Sequence, residues 1–382
     1  MAYQRFCSAA RLRSTWISGY PAPAAAARRS MASALADRAS VNVRNLRMRA
    51  LVVTNMYPSP ARPALGGFVR DQVEALRRID DLDVELHAFA PGGARTYMRA
   101  ARDLRRRFAG QRFDIVHAHF GLTAWPALTV AADKRLVTLH GNDLYHPRSR
   151  KITTAVLRRM DLVGTPTAGF AARVPGAAAG RTVAILPCGV NTDRFRPMDR
   201  RGARERLGLD PDGRYLLFPY DPARAVKRAD IARELTLISD DAKLLTLGKI
   251  PTDEVPVWMN AANAVVCPSD WETFGLACVE ALACDVPVLA RPTGVHAEAL
   301  RGIAGTLCAD WDPETWRAAL APHLANGDPR VAGRPRALRY SADALAARVA
   351  TAWRWLVSGG PPPPLYSAAE ARTEPSLGAH PS

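Results

Sequence analysis

The chain is 382 residues long, 48% hydrophobic and 23% charged, which is more than one compact core covers and too apolar for a disordered polymer, so two domains are expected. No apolar run reaches the roughly 20 residues that a membrane-spanning helix needs; the six cysteines show no CxxC pair and no clustered histidine, which argues against a zinc site or disulfide framework and fits a reducing cytoplasm. The net charge of +16, almost all of its cations arginine, favours anionic partners without choosing among nucleotide phosphates, membrane surfaces and nucleic acid.

Residues 1–47 are rich in Arg, Ala and Ser and poor in acids. They read as a disordered leader, a mis-assigned start or an organellar targeting segment, without the continuous apolar core of a secretory signal. A β-rich run from Arg49 to Asn55 then opens a first domain, taken as 48–190. Apolar strands at 51–55, 84–90, 115–118, 136–139, 162–165 and 183–186 alternate with helical patterns, the mark of a parallel sheet wrapped by helices. Past a linker the alternation restarts at 215–219, 244–247, 264–267 and 287–290, giving a second domain over 191–341. A helix over 342–358 is a candidate to pack back on the first domain, and the Pro- and Ser-rich stretch 359–382 reads as a disordered tail. The expected fold is therefore α/β, with two doubly wound Rossmann-like domains, whose ligands sit outside the carboxyl ends of the strands.

Those strand ends carry the candidate chemistry. Gly66 and Gly67 open a helix with Phe68, Val69, Val73 and Leu76 on its apolar side. Free amides and the helix dipole there suit a phosphate, although a plain turn is the commoner explanation of an isolated glycine pair. Neither GxGxxG nor GxxxxGK[ST] occurs. His140 and Asp143 follow the fourth strand, where a lone histidine is more often structural; His117 and His119 lie at the end of the third and read as site walls or packing. Asp81-Leu82-Asp83 reads as a polar turn, and no metal is implied. Arg99, Arg102, Arg105, Arg106 and Arg107 make one basic segment, either a contact to anionic lipid or lipid phosphate or a solvated face.

The second domain says more. Arg224 and Lys227 follow its first strand, where they can grip a diphosphate; a solvated basic helix start is the bland alternative, and it is electrostatically poor. After the strand at 264–267, Glu272 stays in the loop and Glu280 lies on a helix that Gly275 can begin. The amides of Phe274, Gly275 and Leu276 would be free to bind phosphate, and the two carboxylates can accept hydroxyl hydrogen bonds.

In that context the E-x7-E pattern in WETFGLACVEALACDVPVLA resembles the retaining nucleotide-sugar glycosyltransferases of family 4, which have the GT-B fold. GGFVRDQVEAL, FDIVHAHFG, TLHGNDL, ILPCGVNTDRFRP and EVPVWMNAANAVVCPSDWE agree in order. PARAVKR, PMDRRGARERLGL and MNAAN resemble the branch that includes teichuronic-acid biosynthesis transferases. The resemblance implies a UDP- or GDP-sugar donor and a glycan or lipid-phosphate-linked acceptor, with retention and no metal or other cofactor. Glu272 would hold hydroxyls of the transferred sugar and Glu280 the ribose diol. Arg224 and Lys227 would neutralise the leaving diphosphate with help from Gly66, Gly67 and the amides of Phe274, Gly275 and Leu276, and His140 would face the sugar. One departure is Pro222, where many relatives have arginine; Arg224 is the expected substitute. A GT-B nucleotide-sugar epimerase and a non-enzymatic nucleotide- or nucleic-acid-binding protein are the rival readings. Against the latter, a nucleic-acid reader usually interleaves aromatics with its basic patch, and this arginine-rich stretch has few. A cytoplasmic enzyme, peripheral to the inner face of a membrane, is the expected setting.

Overall fold

The computed structural model describes residues 47–175, 182–239, 241–248 and 250–360. The expectations for 1–46 and 361–382 fall outside them. The first half is one parallel sheet with strand order β2-β1-β3-β4-β5-β6. Its strands are β1 (Met48–Thr54), β2 (Leu82–Ala88), β3 (Arg112–His119), β4 (Ala131–Thr138), β5 (Leu162–Thr165) and β6 (Thr182–Ile185). Strand β1 shows why this sequence makes such a sheet. Ala50 and Val52 enter the core on one face, while Leu51 and Val53 enter the core on the other. A strand covered on both faces reads as a continuous apolar run.

Helices α1 (Gly67–Arg77), α2 (Ala94–Arg107), α3 (Ala124–Ala127), α4 (Asn142–Tyr145), α5 (Pro147–Leu157) and α6 (Ala168–Ala171) fill the crossovers. The second half begins with α7 (Arg200–Arg206) and has a parallel sheet ordered β11-β10-β9-β7-β8. Its elements are β7 (Arg214–Phe218), α8 (Ala229–Leu237), β8 (Ala242–Thr246), α9 (Val255–Ala261), β9 (Ala264–Cys267), α10 (Leu276–Ala283), β10 (Val288–Ala290), α11 (His296–Leu300), β11 (Leu307–Cys308), α12 (Pro313–Ala325) and α13 (Arg334–Ala337).

Chain order reverses between β1 and β3 in the first sheet and between β7 and β9 in the second. Those reversals open the crevices where ligands of doubly wound sheets bind. The chain crosses between the halves twice, at Val190 and at Ser341, and the two crossings are hydrogen-bonded: Val190 N to Tyr340 O at 2.8 Å and Ala342 N to Val190 O at 2.8 Å. The closing helix α14 (Ala342–Ser358) then lies on α1, burying Ala346, Val349 and Trp353 with Val69, Val73 and Leu76. Among the described residues no helix is long and apolar enough to cross a membrane.

Three details depart from the sequence reading. Strand β4 starts at Ala131, because backbone pairing with β3 carries it past its apolar part: Arg112 pairs Ala131, and Ile115 pairs Lys134. Strand β11 was not foreseen; two residues paired to β10 carry too little pattern. Asp83 belongs to β2 rather than to a turn, paired in register with Arg49, while Asp81 accepts two hydrogen bonds from Arg354 of α14, at 2.9 and 2.6 Å.

Candidate functional site

In the second half, β7 and β9 are neighbours, so the loops that follow them meet. One carries Arg224 and Lys227, the other Glu272. Lys227 ends a single 3₁₀ turn, Ala225–Lys227. Its side chain runs inward, 5% exposed, with Nζ 4.4 Å from the centre of the Tyr220 ring and 2.6 Å from Glu272 Oε1. Ser269 Oγ donates to the same oxygen at 2.8 Å, and Oε2 has no partner among the described residues. Glu272 is therefore not the free wall carboxylate of the sequence reading but half of a buried ion pair. Burial pushes its pKa up, yet the charge and hydrogen bond of Lys227 outweigh it and hold the group below the usual range. Burial lowers the Lys227 pKa, against the pull of Glu272. Arg224 is exposed and makes no ion pair among the described residues, although its charge bears on Lys227.

Gly275 caps α10 at φ 98°. Its lack of a side chain also admits His296, because a Cβ there would collide with His296 Nε2. His296 is fully buried, donates to the Arg291 carbonyl through Nδ1 at 2.9 Å, and has an unpartnered Nε2. The amides of Phe274, Gly275 and Leu276 find no acceptor among the described residues. Three free N–H groups at a helix start suit an anion. Glu280 lies in the second turn of α10. It keeps a little accessible surface, but burial still raises its pKa to about 7, countered by Arg194 and reinforced by Asp71.

Across the crevice, α1 begins at Gly66, whose φ of 68° and close approach to the Met56 carbonyl leave no room for a Cβ. Gly67 abuts the second half: a Cβ there would lie 2.8 Å from Thr252 Cγ2. Phe68 packs against the core on the apolar side of α1, as the helical pattern suggested, but also reaches toward the first half's histidines. It is partly exposed, its ring 5.2 Å from the imidazole of His140.

His140 is not a lone histidine. Strands β3 and β4 pair His119 with Thr138, which brings His140 Nε2 to 3.0 Å from His119 Nδ1, with the rings stacked at 14°. His117 stacks on His119 and bonds Thr138 Oγ1 at 2.8 Å. Burial lowers all three pKa values, that of His119 to about 3, so the cluster is neutral. Asp143 orders the loop by accepting from the backbone amides of Gly121, of His140 at 2.5 Å and of Gly141 at 3.1 Å. Burial nonetheless raises its pKa to about 6. Among the described residues no group of three His, Cys, Asp or Glu side chains is placed to hold a metal ion.

The two walls touch. Arg194 forks onto Asp71 of α1 at 3.0 and 2.5 Å, Arg70 forks onto Asp253 at 3.2 and 2.6 Å, Thr167 Oγ1 donates to the Thr273 carbonyl at 3.0 Å, and Tyr145 packs on Trp271 at 4.0 Å. His119, read as a site wall or packing, is here the partner of His140; Asp71, Arg194, Thr273 and His296 were missed in the sequence reading, because the contacts that place them at the site join segments far apart in the chain.

Two Rossmann-like α/β halves facing each other across a cleft make a GT-B fold, with an anion-ready helix start on one wall. Comparison with known proteins agrees. Residues 43–194 match the model described as Glycosyltransferase Family 4, and residues 237–339 match Glycosyl transferases group 1. The D-inositol 3-phosphate glycosyltransferase of Mycolicibacterium paratuberculosis is 30% identical over 332 residues, covering 73% of each chain. Its namesake from Thermobispora bispora is 29% identical over 335 residues, 71% of this chain and 75% of that one. The chain belongs to the family 4, group 1 glycosyltransferases. Among solved structures, sucrose-phosphate synthase from Thermosynechococcus elongatus shares the fold with a TM-score of 0.62 and 18% identity, over 82% of this chain and all (100%) of that one. Anabaena Alr3699/HepE, solved with UDP and glucose, has a TM-score of 0.58 and 14% identity, over 80% and 98%.

Proposed function

We propose that the chain moves a hexose-type sugar from a nucleoside-diphosphate sugar to an acceptor hydroxyl, with retained anomeric configuration and without a metal ion. The observation that carries this is the Lys227–Glu272 pair beside the free amides of 274–276. One wall thus holds a cation and orphan N–H groups for a diphosphate, next to a carboxylate with one oxygen unengaged for sugar hydroxyls.

In this reading Glu280 takes the ribose diol, and Lys227, Arg224 and the helix start stabilise the negative charge that develops on the departing diphosphate. His140, neutral and held by His119, faces the sugar from the first half. Closure of the walls on each other would exclude water and align donor with acceptor.

The acceptor is a glycan or a lipid-phosphate-linked sugar, in keeping with the resemblance to transferases of envelope polysaccharides and with the basic helix α2. A second reading is favoured by the relatives, which carry the name D-inositol 3-phosphate glycosyltransferase: a phosphorylated polyol in the same place. Incubating the protein with UDP- and GDP-hexoses in the presence of EDTA, with each acceptor class, tests both. Acceptor-dependent release of nucleotide, with an α-linked product from an α-linked donor by NMR, is expected. An inverted product, or turnover that requires a divalent cation, would contradict the reading.

A further inference from the structure

Three of the large apolar side chains exposed on the chain stand together on the first half. Met98 on α2, Trp125 on α3 and Ile152 on α5 are 56%, 42% and 44% exposed. Their elements adjoin. Trp125 Nε1 donates to the Ile152 carbonyl at 3.2 Å, and α2 packs against α3. Thr129 Oγ1 reaches the Ala101 carbonyl at 3.3 Å; Met98 stands one turn before Ala101, and Trp125 one turn before Thr129. Single exposed apolar residues need no explanation, but a cluster of them does.

Cations rim this cluster. On α2 the acid Asp103 pairs with Arg106, which leaves the exposed Arg95, Arg99 and Arg102 with no carboxylate partner among the described residues. On α5, Arg148 stands one turn before Ile152 and Lys151 beside it, both exposed and likewise without an acid. Unpaired cations so close together repel one another, a cost that an anionic partner removes. An apolar centre within a cationic rim is the pattern of a surface that lies in the interface of an anionic bilayer. A tryptophan with its ring outward and its N–H satisfied suits the headgroup level. Nucleic acid fits less well, since Met98 and Ile152 offer no flat ring for bases to stack on.

We propose that α2, α3 and α5 form a docking surface for anionic lipid, with Met98, Trp125 and Ile152 inserted and the arginines and Lys151 at the phosphates. The surface borders the ligand edge of the first sheet. Tyr97 of α2 accepts a hydrogen bond from Asn55 Nδ2 just past β1, at 2.9 Å, and α5 follows the His140 loop. Docking would bring the acceptor side of the cleft to the membrane. That use rests on the transferase reading; the lipid binding does not.

The test is co-sedimentation of the full chain with vesicles of phosphatidylcholine, alone or mixed with phosphatidylglycerol, at low salt. Binding to the mixed vesicles only is expected, weakened about fivefold by each of Arg99→Glu, Arg102→Glu and Lys151→Glu. Lipids brominated in the acyl chain should quench tryptophan fluorescence, and Trp125→Phe should remove that quenching. Failure to bind the mixed vesicles, or binding that the charge reversals leave unchanged, would overturn the proposal. Binding that RNA competes away and that brings no bromine quenching would also overturn it, in favour of a polyanion site. Thermal stabilisation by UDP and GDP, followed in parallel, should be the same in these variants. Its absence from the unmodified protein would strike the donor reading and leave the lipid result standing.

Discussion

Glu280 shows how a single residue can be costly to the empty protein and useful to the liganded one. With its pKa raised to about 7, the native state keeps a proton that the unfolded chain has released from about pH 4.3 upward. Stability therefore falls as pH rises through that window and stays lower above it. Glu280→Gln should raise the stability of the ligand-free protein at pH 8 by about 2 kcal/mol, with the gain vanishing near pH 4. Thermal melts at the two pH values check this, and a variant no more stable at pH 8 would contradict it. His119 acts on a neighbour instead. If its proton sits on Nδ1, its buried and unpartnered Nε2 is a bare acceptor rather than an orphaned N–H, and His140 then carries its own proton on Nδ1. Nitrogen-15 NMR should find His140 in that tautomer, and His119→Phe should shift it toward the Nε2–H form and lower kcat more than it raises KM. An Nε2–H tautomer in the unmodified protein would refute the assignment.

At the scale of elements, α10 depends on its first position. Gly275 combines a left-handed φ with contact to His296, so Gly275→Ala must strain the backbone and displace a buried ring. We expect a loss of about 2 kcal/mol of stability and of the anion site at the helix start. A variant with unchanged melting temperature and nucleotide affinity would show that the cap is not strained. The same element marks how far sequence carries. The apolar strands 162–165 and 264–267 were legible because both of their faces are buried, and the E-x7-E context gave Glu272, Glu280 and the helix start between them. The Lys227–Glu272 pair was not legible, because its members are 45 residues apart in the chain and meet only because β7 lies beside β9. His119 and His140 meet for the same reason, through β3 and β4. Phe68 keeps helical periodicity with the core residues of α1 and packs against them, yet its ring also meets His140, and periodicity cannot show that second contact.

At the scale of the molecule, the two halves are joined by paired crossings near Val190 and Ser341 and by the Asp71–Arg194 and Arg70–Asp253 forks. Asp71 is 3% exposed, so Asp71→Asn should cost about 2 kcal/mol by removing the nearer carboxylate of Arg194 and leaving it only Asp253, at 3.5 Å. It should also open the cleft, seen as a larger radius of gyration in X-ray scattering of the ligand-free protein; an unchanged profile would assign the closed arrangement to other contacts. The donor wall itself is tested most directly by thermal stabilisation of the full chain with UDP, GDP and their sugar conjugates, repeated with Glu280→Ala and Lys227→Ala. One nucleotide should stabilise the protein, and both substitutions should weaken that effect. A folded protein that no nucleotide stabilises, or one stabilised equally in both variants, would contradict the account.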